Sequence, residues 1–183
     1  MIVYGAVLSP FVRKVLAVAG EKGIAVELKQ GGFGTGGDEF AETSPFGKVP
    51  GFRHPGGNAD GSDYCLSDSS AIAHYLDARF PEPRLIPEDP CAHGWVVWFD
   101  EFADTILMAG GGPIFFNRVV KPLFLKQPAD AEAAHSGTAL ALDEKLRQAY
   151  FWIVNTAIIS PHYDIEYHDG PPTEYLLGDR KSR

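Results

Sequence analysis

Three short motifs carry residues able to act together on one small ligand. Ser9-Pro10 follows the short apolar run from Met1 to Val7 and opens a helix-like stretch. Ser44-Pro45-Phe46-Gly47-Lys48-Val49-Pro50 comes next, and Leu66-Ser67-Asp68-Ser69-Ser70-Ala71-Ile72 follows. A helix start offers free N–H groups and the positive end of a dipole. A helix start, a Val-Pro corner and an acidic, Ser-rich helix start can therefore surround one small anionic thiol ligand. Each motif also has a plain structural reading. Ser9 suits a helix N-cap, and Ser67, Asp68, Ser69 and Ser70 compete for the same job further on. Lys48 suits a solvated surface, and Pro50 suits an ordinary strand start.

The elements that must position these motifs fall into two halves. Ile2-Val3-Tyr4 reads as a short buried strand. Phe11, Val12, Val15, Leu16 and Ala19 give the next segment an apolar stripe at helical spacing, with Pro10 in its first turn and Gly23 as its stop. Ile24 to Leu28 alternates as a second strand. Residues 30–37 hold five glycines and form a loop, with a helical turn or two near Glu39 to Glu42. Val49 to Phe52 is a third strand, His54 to Asp63 a hairpin turn, and Tyr64 to Leu66 the returning strand. A helix carrying Ile72, Tyr75 and Leu76 runs to Phe80-Pro81, where the residue before proline leaves helical space.

Pro81, Pro83, Pro87 and Pro90 mark residues 82–90 as a linker. Strand-like alternation then gives way to helical patterning. Trp95, Phe99, Phe102 and Ile106 recur at helical spacing, and Gly110-Gly111-Gly112-Pro113 is expected to end that helix. Another helix is expected from about Ala129 to Ile153. The organisation is an α/β domain over 1–81, a linker over 82–90 and an all-helical domain over 91–183.

The balance of the 183 residues narrows the partners. An apolar fraction of 45% supports a core. A formal net charge of −8 argues against nucleic acid and anionic membrane surfaces. Cys65 and Cys91 form no C-x-x-C pair, and the histidines show no metal-ligand spacing. No metal is expected. No signal peptide and no run of about 18 apolar residues is visible, so a cytoplasmic location is expected.

Taken together and in order, the motifs resemble the glutathione transferase superfamily. The likeness rests on Val3-Tyr4-Gly5, on Ser9-Pro10-Phe11-Val12-Arg13-Lys14-Val15, on Ser44 through Pro50, and on Asp68-Ser69-Ser70-Ala71-Ile72-Ala73-His74-Tyr75-Leu76. Residues 1–81 look like its thioredoxin-like domain almost end to end. The helical half matches less well, through Trp95, Phe99 and Phe102 and through Leu142-Asp143-Glu144-Lys145-Leu146. The resemblance implies glutathione as co-substrate, with Ser9 donating to its sulfur. Val49 would pair its backbone with the cysteinyl part ahead of a cis Pro50. Asp68 and Ser69 would hold the γ-glutamyl end, with Lys48 near the glycyl end. Phe11, Trp98, Phe102 and Ile106 are candidates for an apolar electrophile pocket. A homodimer with the site near the subunit boundary is also implied.

Two departures from the family stand out. The hairpin between Phe52 and Leu66 is long, and Asn155 to Pro172 reads as an insertion. The chain reaches Leu177-Gly178-Asp179-Arg180-Lys181-Ser182-Arg183 where the family continues into a buried helix, so a truncated bundle is expected. The expected reaction is attack by glutathione thiolate on a small apolar electrophile. Ether cleavage, dehalogenation or isomerisation with the same cofactor, and a non-catalytic binding role, are alternatives. Ser9 in place of a cysteine argues against thiol–disulfide reduction. Tyr4 is the rival donor to the sulfur, and its place inside the first strand favours packing.

Overall fold

The computed structural model describes residues 1–141, with side chains to residue 137. Two compact units form, one of Met1–His93 and one beginning at Gly94. The expected 142–146 helix match, the 155–172 insertion and the chain end lie outside the described residues.

The first unit is built on a sheet of β1 (Ile2–Tyr4), β2 (Glu27–Lys29), β3 (Gly51–His54) and β4 (Tyr64–Ser67), in the order β2-β1-β3-β4. β1 pairs parallel with β2 and antiparallel with β3, and β3 pairs antiparallel with β4. Side chains alternate across a strand, and the register puts Val3 beside Phe52 and Tyr4 beside Gly51. Val3 and Phe52 accordingly join Val12, Val15, Ala19, Ile72 and Leu76 in one buried core. The opposite face carries Tyr4, whose ring meets Phe40 at 6.4 Å.

Three helices flank this sheet: α1 (Pro10–Glu21), α2 (Gly37–Thr43) and α3 (Ser69–Arg79). α1 buries its apolar stripe and ends where Gly23 turns to φ +65°. There Ile24 N–H reaches back to Ala19 O at 2.8 Å, closing the last turn as glycine-ended helices do. The second strand sits at Glu27–Lys29 rather than from Ile24, because Ile24 is spent on this closure and Val26 packs against the core. The third strand begins at Gly51 rather than Val49, since the Val49–Pro50 peptide is cis and the ladder starts beyond it. Glu82–Pro83 is also cis.

The segment after α3 is tied down by charge. Lys22 Nζ lies 2.6 Å from Asp77 Oδ1, with the Lys22 side chain 0% and the Asp77 side chain 6% exposed. The ammonium also donates to Phe80 O at 2.7 Å and Pro83 O at 2.8 Å. Asp77 in turn accepts from Leu85 N at 2.9 Å and Ile86 N at 3.1 Å. Each buried charge thus has both a counter-charge and hydrogen-bond partners.

α4 (Pro90–Glu101) leads into the second unit. It continues through a π-helical turn (Phe102–Leu107), α5 (Met108–Phe115) and a π-helical segment (Phe116–Leu125). The expected stop at Gly110 to Pro113 is therefore corrected: the backbone stays helical past Pro113. Pro113 lies inside α5 itself, and Pro122 lies in the π-helical segment that follows. A close approach does occur at one glycine of the next helix. A Cβ on Gly137 of α6 (Ala131–Ala141) would meet Gly110 O at 2.7 Å, so these two helices approach with bare backbone. Lys126, at φ +55°, ends the helical run, and Asp130 caps α6 through Ala133 N at 2.9 Å.

Candidate functional site

Ser9 is the N-cap of α1. Its backbone is extended, and its hydroxyl oxygen accepts from Val12 N–H at 3.4 Å. Capping uses a lone pair of the oxygen and leaves the O–H hydrogen able to donate elsewhere. The structural and the chemical reading of Ser9 are thus compatible. Tyr4, the rival donor, turns to the α2 face, where its hydroxyl donates to Glu39 Oε2 at 3.2 Å. Burial raises the Tyr4 pKa, the Arg53 guanidinium opposes the rise and Glu39 adds to it.

The loop between β1 and α1 is held against Val49 by a missing side chain. A Cβ on Gly5, at φ +152°, would stand 2.5 Å from Val12 Cγ2 and 3.3 Å from Val49 Cβ. On its other side, a Cβ on Gly32 would lie 2.8 Å from Val49 Cγ1. Three loops therefore converge on Val49. Its own loop is closed by Gly47 N–H to Ser44 O at 2.9 Å and by the buried Ser44 hydroxyl donating to Lys48 O at 2.7 Å. Lys48 itself is exposed.

Asp68 and Ser69 reach the same end of the sheet through β4. Gly51 pairs with Ser67, so the residues before Gly51 and after Ser67 continue side by side. Asp68 caps α3, with Oδ1 accepting from Ser70 N and Ala71 N, both at 3.0 Å. It does so at φ +81°, a region that costs a non-glycine residue about 1–3 kcal/mol and clusters at functional sites. Ser69 is 2% exposed at the first position of α3. Lys14 Nζ contacts Ser70 Oγ at 3.1 Å, joining the starts of α1 and α3.

The structure thus brings Ser9, Val49, Pro50, Asp68 and Ser69 to one end of the first unit. Phe11 is half-buried on α1. The other pocket candidates belong to the second unit, where Trp98 stacks on buried Phe102 at 5.6 Å. Ile106, beyond the start of the π turn, is exposed. Gly5, Gly32 and Ser44 support the site without having been singled out by type. The signal for Gly5 was its place in Val3-Tyr4-Gly5, and Ser44 was visible only as the first residue of its motif. Among the described residues, no cluster of three or more His, Cys, Asp or Glu could hold a metal. Among them, too, no helix is long and apolar enough to cross a membrane.

A β2-β1-β3-β4 sheet, a capped helix after its first strand and a cis-prolyl corner before its third place the first unit in the thioredoxin-like class, and helices follow it. Residues 3–84 match the family model for the glutathione S-transferase N-terminal domain. Over these residues the chain carries the glutathione S-transferase N-terminal domain, and solved glutathione S-transferases share its fold. It is 43% identical over 53 residues to Probable maleylacetoacetate isomerase 1 of Drosophila melanogaster, which covers 29% of this chain and 19% of that protein. It is 33% identical over 106 residues to the uncharacterized GST-like protein YibF of Escherichia coli K12, covering 58% and 50% respectively. A glutathione transferase family member from Pseudomonas fluorescens, solved with two glutathione bound, shares the fold at a TM-score of 0.62 and 22% identity, over 81% of this chain and 63% of that one. The chain spans half or less of the length of these two curated relatives.

Proposed function

We propose that this protein binds glutathione at the Ser9 end of its first unit and transfers the thiolate to a small apolar electrophile. The observation that carries the reading is the state of Ser9. It caps α1 as an acceptor, keeps its O–H to donate, and stands in the loop that Gly5 holds against the cis-prolyl residue Val49.

The chemistry follows from that geometry. Free thiols of this kind titrate at roughly 8.5, so little thiolate exists at neutral pH. A hydroxyl donating to sulfur, at the positive end of a helix, stabilises the anion and makes the nucleophile. The Val49 backbone presents the cysteinyl part. Asp68 Oδ1 is occupied by two backbone N–H groups, and its second oxygen is proposed to take the ligand's ammonium group, beside Ser69. Lys48 is proposed to meet the glycyl carboxylate. No metal enters this chemistry, and a homodimer is proposed for the complete assembly, to be checked by light scattering at micromolar concentration.

Steady-state kinetics with saturating glutathione test the assignment of roles. Ser9→Ala is expected to lower kcat/KM by about 10- to 100-fold, the loss of one charge-assisted hydrogen bond. Glutathione affinity should move by less than threefold. Equal losses in both would remove Ser9 from the chemistry. The identity with an isomerase over 53 residues favours a second reading, isomerisation with glutathione as a returning cofactor. The two part on glutathione consumption: conjugation depletes the thiol in step with product, and isomerisation does not.

A further inference from the structure

His74 on α3 and His93 on α4 are well separated in the sequence, yet their rings meet. The ring centroids stand 5.7 Å apart and the planes cross at 52°. Both residues belong to the first unit, and both are half-buried. Among the described residues, no hydrogen bond or ion pair engages either imidazole. A neutral imidazole offers one ring nitrogen as a lone-pair donor, and this form is the commonest metal ligand in proteins.

The backbone under each ring is fixed. His74 stands between Ile72 and Leu76, both 0% exposed in the core. Asp77, on the next turn, is held by the buried Lys22 ammonium. His93 sits in the first turn of α4, where its N–H donates to Asp89 O at 2.8 Å. Asp89 Oδ2 caps the same turn by accepting from Ala92 N at 2.8 Å. Two helices rather than two loops therefore present the imidazoles, and ligands held on such elements keep their geometry.

We propose that His74 and His93 form a two-histidine site for a divalent transition-metal ion. A tetrahedral ion about 2.0–2.1 Å from one nitrogen of each ring holds the two centroids roughly 5–6 Å apart. The observed 5.7 Å falls inside that span. Asp77 adds no third ligand, since Lys22, Leu85 and Ile86 occupy its oxygens. Cys91 is two residues from His93, and side chains so spaced do not face each other on a helix. Water fills the remaining positions. Imidazole suits Cu2+, Ni2+ and Zn2+, whereas Mg2+ and Ca2+ demand oxygen ligands. The bound ion clips α3 to the start of α4 and closes the proline-rich segment between them, which stabilises the fold. The proposal does not rest on the glutathione reading.

The test uses the full chain without an affinity tag, Ni2+ as the probe and two single variants, His74→Ala and His93→Ala. Binding is measured by calorimetric titration with nickel chloride in a non-coordinating buffer at neutral pH. Losing a group that merely supports a metal ligand costs about 10- to 100-fold in affinity, so each variant should bind at least about 10-fold more weakly. Ni2+ at about 100 times the parent's Kd should raise the parent's thermal midpoint by about 5 °C or more. The same concentration should raise each variant's midpoint by about half that or less. Mg2+ should leave the parent's midpoint unchanged, and Cys91→Ser should bind Ni2+ within about twofold of the parent. Because the ligands sit on different helices, either histidine variant decides the matter if the other fails to fold. Unchanged Ni2+ affinity in a folded histidine variant would overturn the proposal. So would an equal midpoint rise with Mg2+, a tenfold loss in C91S, or no saturable binding by the parent.

Discussion

Asp77→Asn removes one charge from the Lys22–Asp77 pair and leaves its shape. The buried ammonium would keep Phe80 O and Pro83 O at 2.7 and 2.8 Å but lose the carboxylate 2.6 Å away. A carboxamide oxygen can accept from Leu85 N or Ile86 N, and its NH2 group then opposes the other. Removing one partner of a buried ion pair costs about 3–5 kcal/mol, since the remaining charge stays desolvated. That is a large share of the roughly 5–15 kcal/mol of a typical domain. With a urea dependence of about 2 kcal/mol per molar, the unfolding midpoint should fall by about 2 M, read by far-ultraviolet circular dichroism. The double variant Lys22→Met with Asp77→Leu should cost less than the two single losses added, by at least about 1 kcal/mol.

The same pair sets a pH dependence. Burial pushes the Asp77 carboxyl up, but the Lys22 ammonium and the Leu85 and Ile86 N–H groups outweigh it and hold the pKa below the ordinary 3.8. A carboxyl whose folded pKa is depressed contributes stability above its unfolded pKa and loses it as pH falls through the folded value. The gap between parent and D77N should therefore be constant from neutral pH down to about pH 5 and shrink below about pH 4. A D77N midpoint within about 0.3 M of the parent, or single-variant losses that simply add, would refute the reasoning.

Two further substitutions probe the site. Asp68→Asn keeps both capping acceptor bonds and tolerates φ +81°, so stability should stay within about 0.5 kcal/mol while the glutathione Kd, measured calorimetrically, rises by about 10-fold or more. Gly5→Ala would place a methyl 2.5 Å from Val12 Cγ2 and 3.3 Å from Val49 Cβ, so it should destabilise by about 1–3 kcal/mol and weaken glutathione binding together.

What was legible in the sequence was local. Ser9-Pro10 before a stripe of Phe11, Val12, Val15, Leu16 and Ala19 announces α1, because cap chemistry and helical spacing act over a few residues. Asp68 before Ile72 and Leu76 announces α3 in the same way. The long-range features were not legible. Lys22 and Asp77 carry no local signal of their pairing, because two helix ends and a proline-rich segment far apart in sequence bury them. Gly110 to Pro113 read as a stop, because glycine and proline punctuate chains locally. The approach of Gly137 to Gly110 O is a tertiary contact that no local pattern announces. The strand start at Glu27 is displaced from the expected one by the Ile24 closure, which tertiary context settles, and the start at Gly51 lies just beyond the cis Pro50 that the family resemblance had implied. At the site, the motif residues were visible by type, whereas the approach of Gly5 and Gly32 to Val49 was not.

The central claim, that Ser9 stabilises a glutathione thiolate, is tested most directly by titrating the ultraviolet absorbance of the bound thiolate against pH in the parent protein and in S9A. The account predicts an apparent thiol pKa at least one unit below the free value of roughly 8.5 in the parent. It predicts an upward move of about 1–2 units in S9A, the equivalent of one hydrogen bond to a charged group. An unchanged pKa and unchanged turnover in S9A would contradict the claim and leave Ser9 as the cap of α1 alone.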